Sequence, residues 1–364
     1  MTYKAQGVLV DPYIVGSILY QDENDNKQYD EGELISSTTT LNGEFGFTEE
    51  LTPGKIIRIK TQGKHEGVTY DLDISSKVDI NGTISVVSPM TTFISRNLTK
   101  EQIADILNQA AKDASRSDWS INANLVLTDP LSDGLLTKTV TQLSDEDLVK
   151  IQASLATYGI LKVMNGSTTL QGLNGQQLYD SGKTTGKEVN KIATVMVDSL
   201  LTALNKDLLS TIKGVIDTGK QSLVTGLVAS GLYTQAQAEA KIEDAMPEPT
   251  ADLIVKVAVA VIDRLADVGY TTCNKTPGED ATKVNTALQE VANNMPDVMA
   301  KIPELGQEFY GMMYQKELSI LENVGMGVDL IGNLPSALQA GYNAKKAGNV
   351  SFRFDASNNI VAVK

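Results

Sequence analysis

Residues 22–33, DENDNKQYDEGE, carry six acidic side chains, Asp22, Glu23, Asp25, Asp30, Glu31 and Glu33, against the single Lys27. Charges of one sign this close repel one another unless solvent or a bound cation offsets them. The residue types and their spacing point to a cation. With Asp22 as position 1, side-chain oxygens fall at Asp22, Asn24, Asn26, Asp30 and Glu33, which are positions 1, 3, 5, 9 and 12, and Gln28 at position 7 offers its backbone carbonyl. That is the oxygen spacing of an EF-hand calcium loop, in which the ion takes about six to eight oxygens and position 12 supplies two of them. Lys27 occupies position 6, where glycine is usual because the backbone turns left-handed there. The flanks depart from an EF-hand, because VGSILY before the loop and LISSTTT after it read as strands. The expectation is a loop in a β setting that holds Ca2+ through Asp22, Asn24, Asn26, Gln28, Asp30 and Glu33. A solvated acidic hairpin is the plainer alternative.

The elements that must position this loop are legible in outline. Residues 1–88 alternate short runs rich in Val, Ile, Tyr and Thr with turn dipeptides Asn42-Gly43, Pro53-Gly54 and Asn81-Gly82. About seven short strands at this spacing predict a β-sandwich. From VSPMTTFI onward the period becomes helical. Ser88 caps a helix with Pro89 at its first position. Thr99 and Gln102 form a capping box ahead of Ile103, Ile106, Leu107 and Ala110, and Ser144 and Asp147 mark another start. Long amphipathic helices are expected over 186–245, with breaks at Gly214, Gly219, Gly226 and Gly231. Further helices are expected over 251–268, 280–295, 304–324 and 335–346. The chain closes on VSFRFDASNNIVAVK, a hairpin turning at Ser357-Asn358-Asn359. The fold class expected is therefore α+β: an N-terminal β-sandwich over 1–88, a larger all-α helical domain over 89–348, and a C-terminal β-hairpin over 349–364 that returns to a sheet or pairs with a neighbouring subunit.

Composition narrows the partners. The chain has 364 residues, 41% of them hydrophobic, with a formal net charge of −14. Such a chain repels nucleic acid and anionic lipid and attracts divalent cations. No apolar run reaches the roughly 18 residues of a membrane span, and the first residues lack the layout of a signal peptide. With Cys273 as the one cysteine, no disulfide forms within the chain.

Residues 10–54, VDPYIVGSILYQDENDNKQYDEGELISSTTTLNGEFGFTEELTPG, resemble a module common in bacterial surface proteins and lipoproteins. It runs as a D-x-Y-(I/V)-x-G strand, a D-x-N-x-N-x-x-x-D-x-G-E loop, a threonine-rich strand and an N-G-x-F turn. The module is similar to the calcium-binding B-type repeats of Gram-positive adhesins and to prealbumin-like domains. VSPMTTFI with its following helix extends the likeness to roughly residues 7–112, and Lys27 and Pro12 depart from the commonest forms. The resemblance implies an extracellular, non-catalytic module stiffened by calcium. Residues 113–348 resemble no family.

Other candidate sites have bland readings. SGKTTGK at 181–187 lacks the first glycine of a phosphate-binding loop, since Gln177 stands there. His65, the single histidine, reads as a surface residue of a turn, which excludes multi-histidine zinc sites. Cys273 reads as an incidental cysteine between helices, and Trp119 as packing between domains. Asp71, Asp73 and Asp79 read as solvated, and Asp355, Ser357 and Asn358 as a plain turn. No catalytic constellation is evident, so the chain is expected not to be an enzyme. The expected function is that of an extracellular, cell-surface structural or adhesive protein, a self-assembling filament subunit whose terminal β-strand adds to another copy of the chain. The alternative is a monomeric surface lipoprotein that binds a small molecule or polysaccharide through its helical domain.

Overall fold

The computed structural model describes residues 2–132, 134–324 and 330–364. The strands are β1 (Ala5–Leu9), β2 (Ile18–Asp22), β3 (Glu44–Phe47), β4 (Ile56–Thr61), β5 (Lys64–His65), β6 (Val68–Thr69), β7 (Ser75–Lys77) and β8 (Val86–Val87), with β9 (Ser351–Phe354) and β10 (Ile360–Val363) at the far end of the sequence. Between them lie α1 (Pro89–Ser95), α2 (Lys100–Asp113), α3 (Asp145–Met164), α4 (Thr168–Gln171), α5 (Gly175–Lys183), α6 (Glu188–Ala203), α7 (Lys206–Ala229), α8 (Gln235–Ala245), α9 (Ala251–Lys275), α10 (Asp280–Ala300), α11 (Ile302–Met313), α12 (Gln315–Val324) and α13 (Ser336–Lys346). The protein is thus mixed, mainly helical, with small N-terminal sheets and a C-terminal strand pair. None of the described helices is long and apolar enough to cross a membrane.

The strands form two three-stranded sheets, β3-β1-β8 and β2-β4-β7. β1 runs antiparallel to β3 and parallel to β8, so the N-terminal strand is the middle strand of its own sheet. Residues 36–40 connect the sheets. The amides of Ser36 and Thr39 donate to the carbonyls of Leu19 and Ser17, while those of Ser37 and Thr40 donate to Gly46 and Glu44. On the opposite side a bridge pairs Ser75 with Ser88. Leu9, Leu19, Phe45, Phe47, Ile57 and Val87 fill the core.

Two packing units emerge, each assembled from three chain segments. The first comprises 1–133, 145–202 and 265–295; the second comprises 134–144, 203–264 and 296–364. The sequence divisions 1–88, 89–348 and 349–364 mark where element type changes, whereas these units mark which elements share a core.

Several local expectations are met. The Ser88 hydroxyl accepts from the Thr91 amide, with Pro89 at the first helical turn, and Thr99 and Gln102 cap α2 reciprocally. The hairpin β9–β10 turns at 355–359, where Arg264 Nε donates to Asn358 Oδ1 at 2.6 Å. Other expectations are corrected. Gly214, Gly219 and Gly226 lie inside α7 and do not break it, while Gly231 follows its end with φ +73°. α10 continues through Pro296, and the expected helix 304–324 is two helices, α11 and α12. Trp119 is buried inside the first unit, its indole donating to Gln152 at 2.8 Å.

In the second unit α11 and α13 are in close contact. A methyl group at Gly341 would come within 1.9 Å of the Glu308 carbonyl oxygen, and one at Gly311 within 2.2 Å of the Leu338 carbonyl oxygen. Glu308 itself is 8% exposed, and its Oε2 has no partner among the described residues. Burial, and then the neighbouring Glu304, push its carboxyl up to about 7. A raised carboxyl favours the protonated fold, so stability falls as pH rises from the unfolded value of about 4.5 through 7. The full shift corresponds to about 3 kcal/mol, and relaxation and water entry on ionisation reduce this to the order of 1–2 kcal/mol. Glu308→Gln is expected to raise the melting temperature at pH 8 and to leave it nearly unchanged at pH 4.5. Melts of the variant and parent that track each other across this range would show that Glu308 does not titrate this way.

Candidate metal site

The acidic loop leaves the sheet at Asp22, the last residue of β2, and returns at Leu34, whose carbonyl accepts from the Gln21 amide at 2.9 Å. Sheet pairing therefore closes the loop at its base, in place of the two helices of an EF-hand. Lys27 has φ +64° and Asp25 φ +56°. The chain thus turns left-handed at position 6 without glycine, a conformation that a side chain adopts only at a cost. Part of that cost is offset when the Lys27 amide donates to Asp22 Oδ2 at 3.1 Å.

Three of the six expected ligand residues converge. The carboxamide nitrogens of Asn24 and Asn26 both donate to Asp30 Oδ2, each at 2.8 Å. Their oxygens accept from the amides of Asn26 and Gln28 at 3.0 and 2.8 Å, which is the short-range turn bonding these side chains favour. Glu33 spans the base of the loop, with Oε1 accepting from the Glu23 amide at 2.8 Å and Oε2 from the Asp30 amide at 2.9 Å. Gln28 joins through its amide.

Asp22 stands apart. It is 1% exposed, and Arg58 of β4 donates from Nε to its Oδ2 at 2.7 Å. The other guanidinium arm reaches Asp25 at 2.8 Å. Burial raises the Asp22 carboxyl, but bonds from Arg58 and from the Lys27 and Asp25 amides outweigh it and hold the group below its ordinary range. Asp22 Oδ1 is buried with no partner among the described residues. Such an atom ordinarily costs about 1–3 kcal/mol. Six carboxylates set against Lys27, Arg58 and Lys55 leave the region three negative charges in excess.

The residues fit calcium in type, being oxygen donors throughout, and in the backbone turn at Lys27. As oriented here they do not form a ligand cage. Among the described residues no three His, Cys, Asp or Glu side chains gather around one point. Turning the two carboxamides over would present oxygen where nitrogen now faces Asp30, since the two ends are nearly isosteric.

The remaining candidates separate from this loop. His65 is 8% exposed in the β5–β6 hairpin, which corrects its reading as a surface residue; its ring lies 6.4 Å from that of Tyr70. Cys273 lies within α9, not between helices, and burial pushes its thiol up, away from a reactive thiolate. Ser181–Lys183 end α5, and the next residues lead into α6, as a polar connection should. Asp79 closes its own turn through Asn81 and Thr83, and Asp355 does the same through Ser357 and Asn359. Asp71 pairs with Lys162, which is 8% exposed and also meets Asp267 at 2.6 Å and the Tyr158 hydroxyl at 3.0 Å. Sequence reasoning missed Lys162. The four-residue spacing of Tyr158 and Lys162 on one helix is the signal that would have found it.

Compared with known proteins, the chain matches no family model, no curated protein and no solved structure.

Proposed function

We propose that this chain is a non-catalytic structural or adhesive protein of the cell surface whose N-terminal β-module, a sandwich formed by its two sheets, binds one calcium ion in the loop 22–33. The observation that carries this reading is the loop itself. It combines the left-handed turn at Lys27, the convergence of Asn24, Asn26 and Asp30, and the buried Oδ1 of Asp22, which has no partner among the described residues. Asp22, Asp30, Glu33, the two asparagines and the Gln28 carbonyl would hold the ion. Calcium would bring the two carboxamide oxygens inward and fix the loop to the sheet that carries Asp22. The likeness to adhesin B-type repeats supports an extracellular setting. The buried placement of Cys273, with its raised thiol, supports a structural role.

Self-association belongs to the same reading, with a constraint. β1 already lies between β3 and β8, so one copy gives this strand to another only by exchange. Binding to the folded state alone stabilises by about 2.7 kcal/mol at a hundredfold excess over Kd. A thermal melt is therefore expected to rise on adding calcium, to fall with a chelator, and to lose this response in Asp30→Ala. Sedimentation of the same samples reads assembly. A wild-type melt indifferent to millimolar calcium, with no heat of binding, removes the calcium assignment. Sedimentation as a monomer at every concentration removes assembly and favours the lipoprotein alternative.

A further inference from the structure

We propose that a cleft beside β1 and β3, separate from the acidic loop, binds a neutral saccharide. The cleft has a volume of about 430 Å³, in the lower part of the range of roughly 300–1,000 Å³ typical of small-molecule sites. Gly7, Val8 and the largely buried Phe45 add apolar atoms to its lining. Its walls are polar and almost uncharged. Ser37, Thr38 and Thr40 supply hydroxyls, and Gln6 and Tyr3 complete the lining. A sugar ring has a matching character, with one face of C–H groups and a rim of hydroxyls that both donate and accept.

The walls are fixed in place. The Tyr3 ring lies flat against Gly46, where a methyl group would come within 2.4 Å of it. An aromatic held this way is an apolar platform that need not be ordered on binding. Ser37 Oγ accepts from the Gly46 amide at 3.0 Å, which leaves its hydrogen to donate. Thr40 Oγ1 accepts from the Glu44 amide at 3.2 Å and donates to the Glu44 carboxylate at 3.3 Å, so Glu44 is steered by its own neighbour. Among the described residues Glu44 is the one charged residue lining the cleft. A lone carboxylate accepts from sugar hydroxyls and repels an acidic ligand. An extended peptide is the poorer occupant. Along residues 37–40 the main chain is already paired, Ser37 to Gly46 and Thr40 to Glu44, and offers no edge there for an added strand.

Saturation-transfer NMR tests this with four probes, the methyl glycosides of glucose, galactose, mannose and N-acetylglucosamine, and with glucuronate as the anionic comparison. Transfer to at least one neutral glycoside is expected, with glucuronate at least tenfold weaker. Thr38 is exposed, so Thr38→Trp fills the cleft from the solvent side. It is expected to weaken binding at least tenfold with the melt unchanged, and Tyr3→Ala and Gln6→Ala provide independent readings. No transfer to any of the four glycosides overturns the proposal. So does glucuronate binding as tight as the best glycoside, or undiminished transfer in a folded Thr38→Trp. Calcium removal is expected to leave glycoside transfer in place, which separates failure here from failure of the metal assignment.

Discussion

Replacing Arg58 with Met is expected to lower stability by roughly 3–5 kcal/mol, the range for breaking a buried ion pair from one side. Arg58 is 7% exposed and Asp22 1% exposed, so the substitution leaves a carboxylate in a site where water cannot replace the lost partner. The Lys27 amide still reaches Asp22 Oδ2, which places the result toward the lower end of that range. The same substitution removes a positive charge from the edge of the proposed calcium loop. Calcium affinity is therefore expected to rise as stability in chelator falls, and part of the lost stability should return at saturating calcium. A melt in chelator gives the first quantity and a calcium titration the second. Arg58→Lys keeps the charge but cannot span Asp22 and Asp25 with one rigid fork, so it should fall between. An Arg58→Met melt within about 1 kcal/mol of the parent would show that the pair is not closed in solution. Lower calcium affinity in the variant would show that Arg58 supports the site and does not oppose it.

What was legible in the sequence was local. Ser88, Thr99 and Gln102 announce helix starts because a capping side chain and the amide it serves lie within three residues of each other. The left-handed turn at Lys27 and the approach of Asn24 and Asn26 to Asp30 follow from spacing along one short stretch in the same way. What escaped was decided by neighbours remote in sequence. Arg58 faces Asp22 only because β4 lies beside β2 in the register that opposes Arg58 to Tyr20. His65 looked exposed in TQGKHEG, yet its hairpin places the ring near Tyr70, whose own ring is 6.3 Å from Tyr158 of α3. Gly219 reads as a helix breaker, yet it lies buried inside α7 with Pro335 and Leu338 at ordinary contact distance, because packing of the helix outweighs the propensity of one residue. The N-terminal strand looked free to leave because nothing in AQGVL names β3 and β8 as its partners.

The seam between α11 and α13 yields the other large effect, and it reads the helical region as directly as Arg58 reads the loop. Gly341→Ala is expected to cost about 3 kcal/mol, the upper end of the usual range for overpacking, or more. The added methyl meets the backbone carbonyl of Glu308 at 1.9 Å, and a carbonyl in mid-helix cannot rotate aside as a side-chain tip can. Relief requires the helices to separate, which also loosens the contact between Gly311 and Leu338. Gly311→Ala should therefore be costly alone but cheaper in the Gly341→Ala background, because the first substitution has already opened the seam. The control lies on α7. Gly214 and Gly226 have nothing within 4 Å of an added methyl, so alanine there should stabilise by about 0.5–1 kcal/mol through helix propensity alone. Urea melts of the two single variants, the double variant and the two controls measure all of these terms together. Additive losses at 311 and 341 would mean that the two contacts open independently. A Gly341→Ala variant as stable as Gly214→Ala would mean that the helices do not meet at this distance in solution.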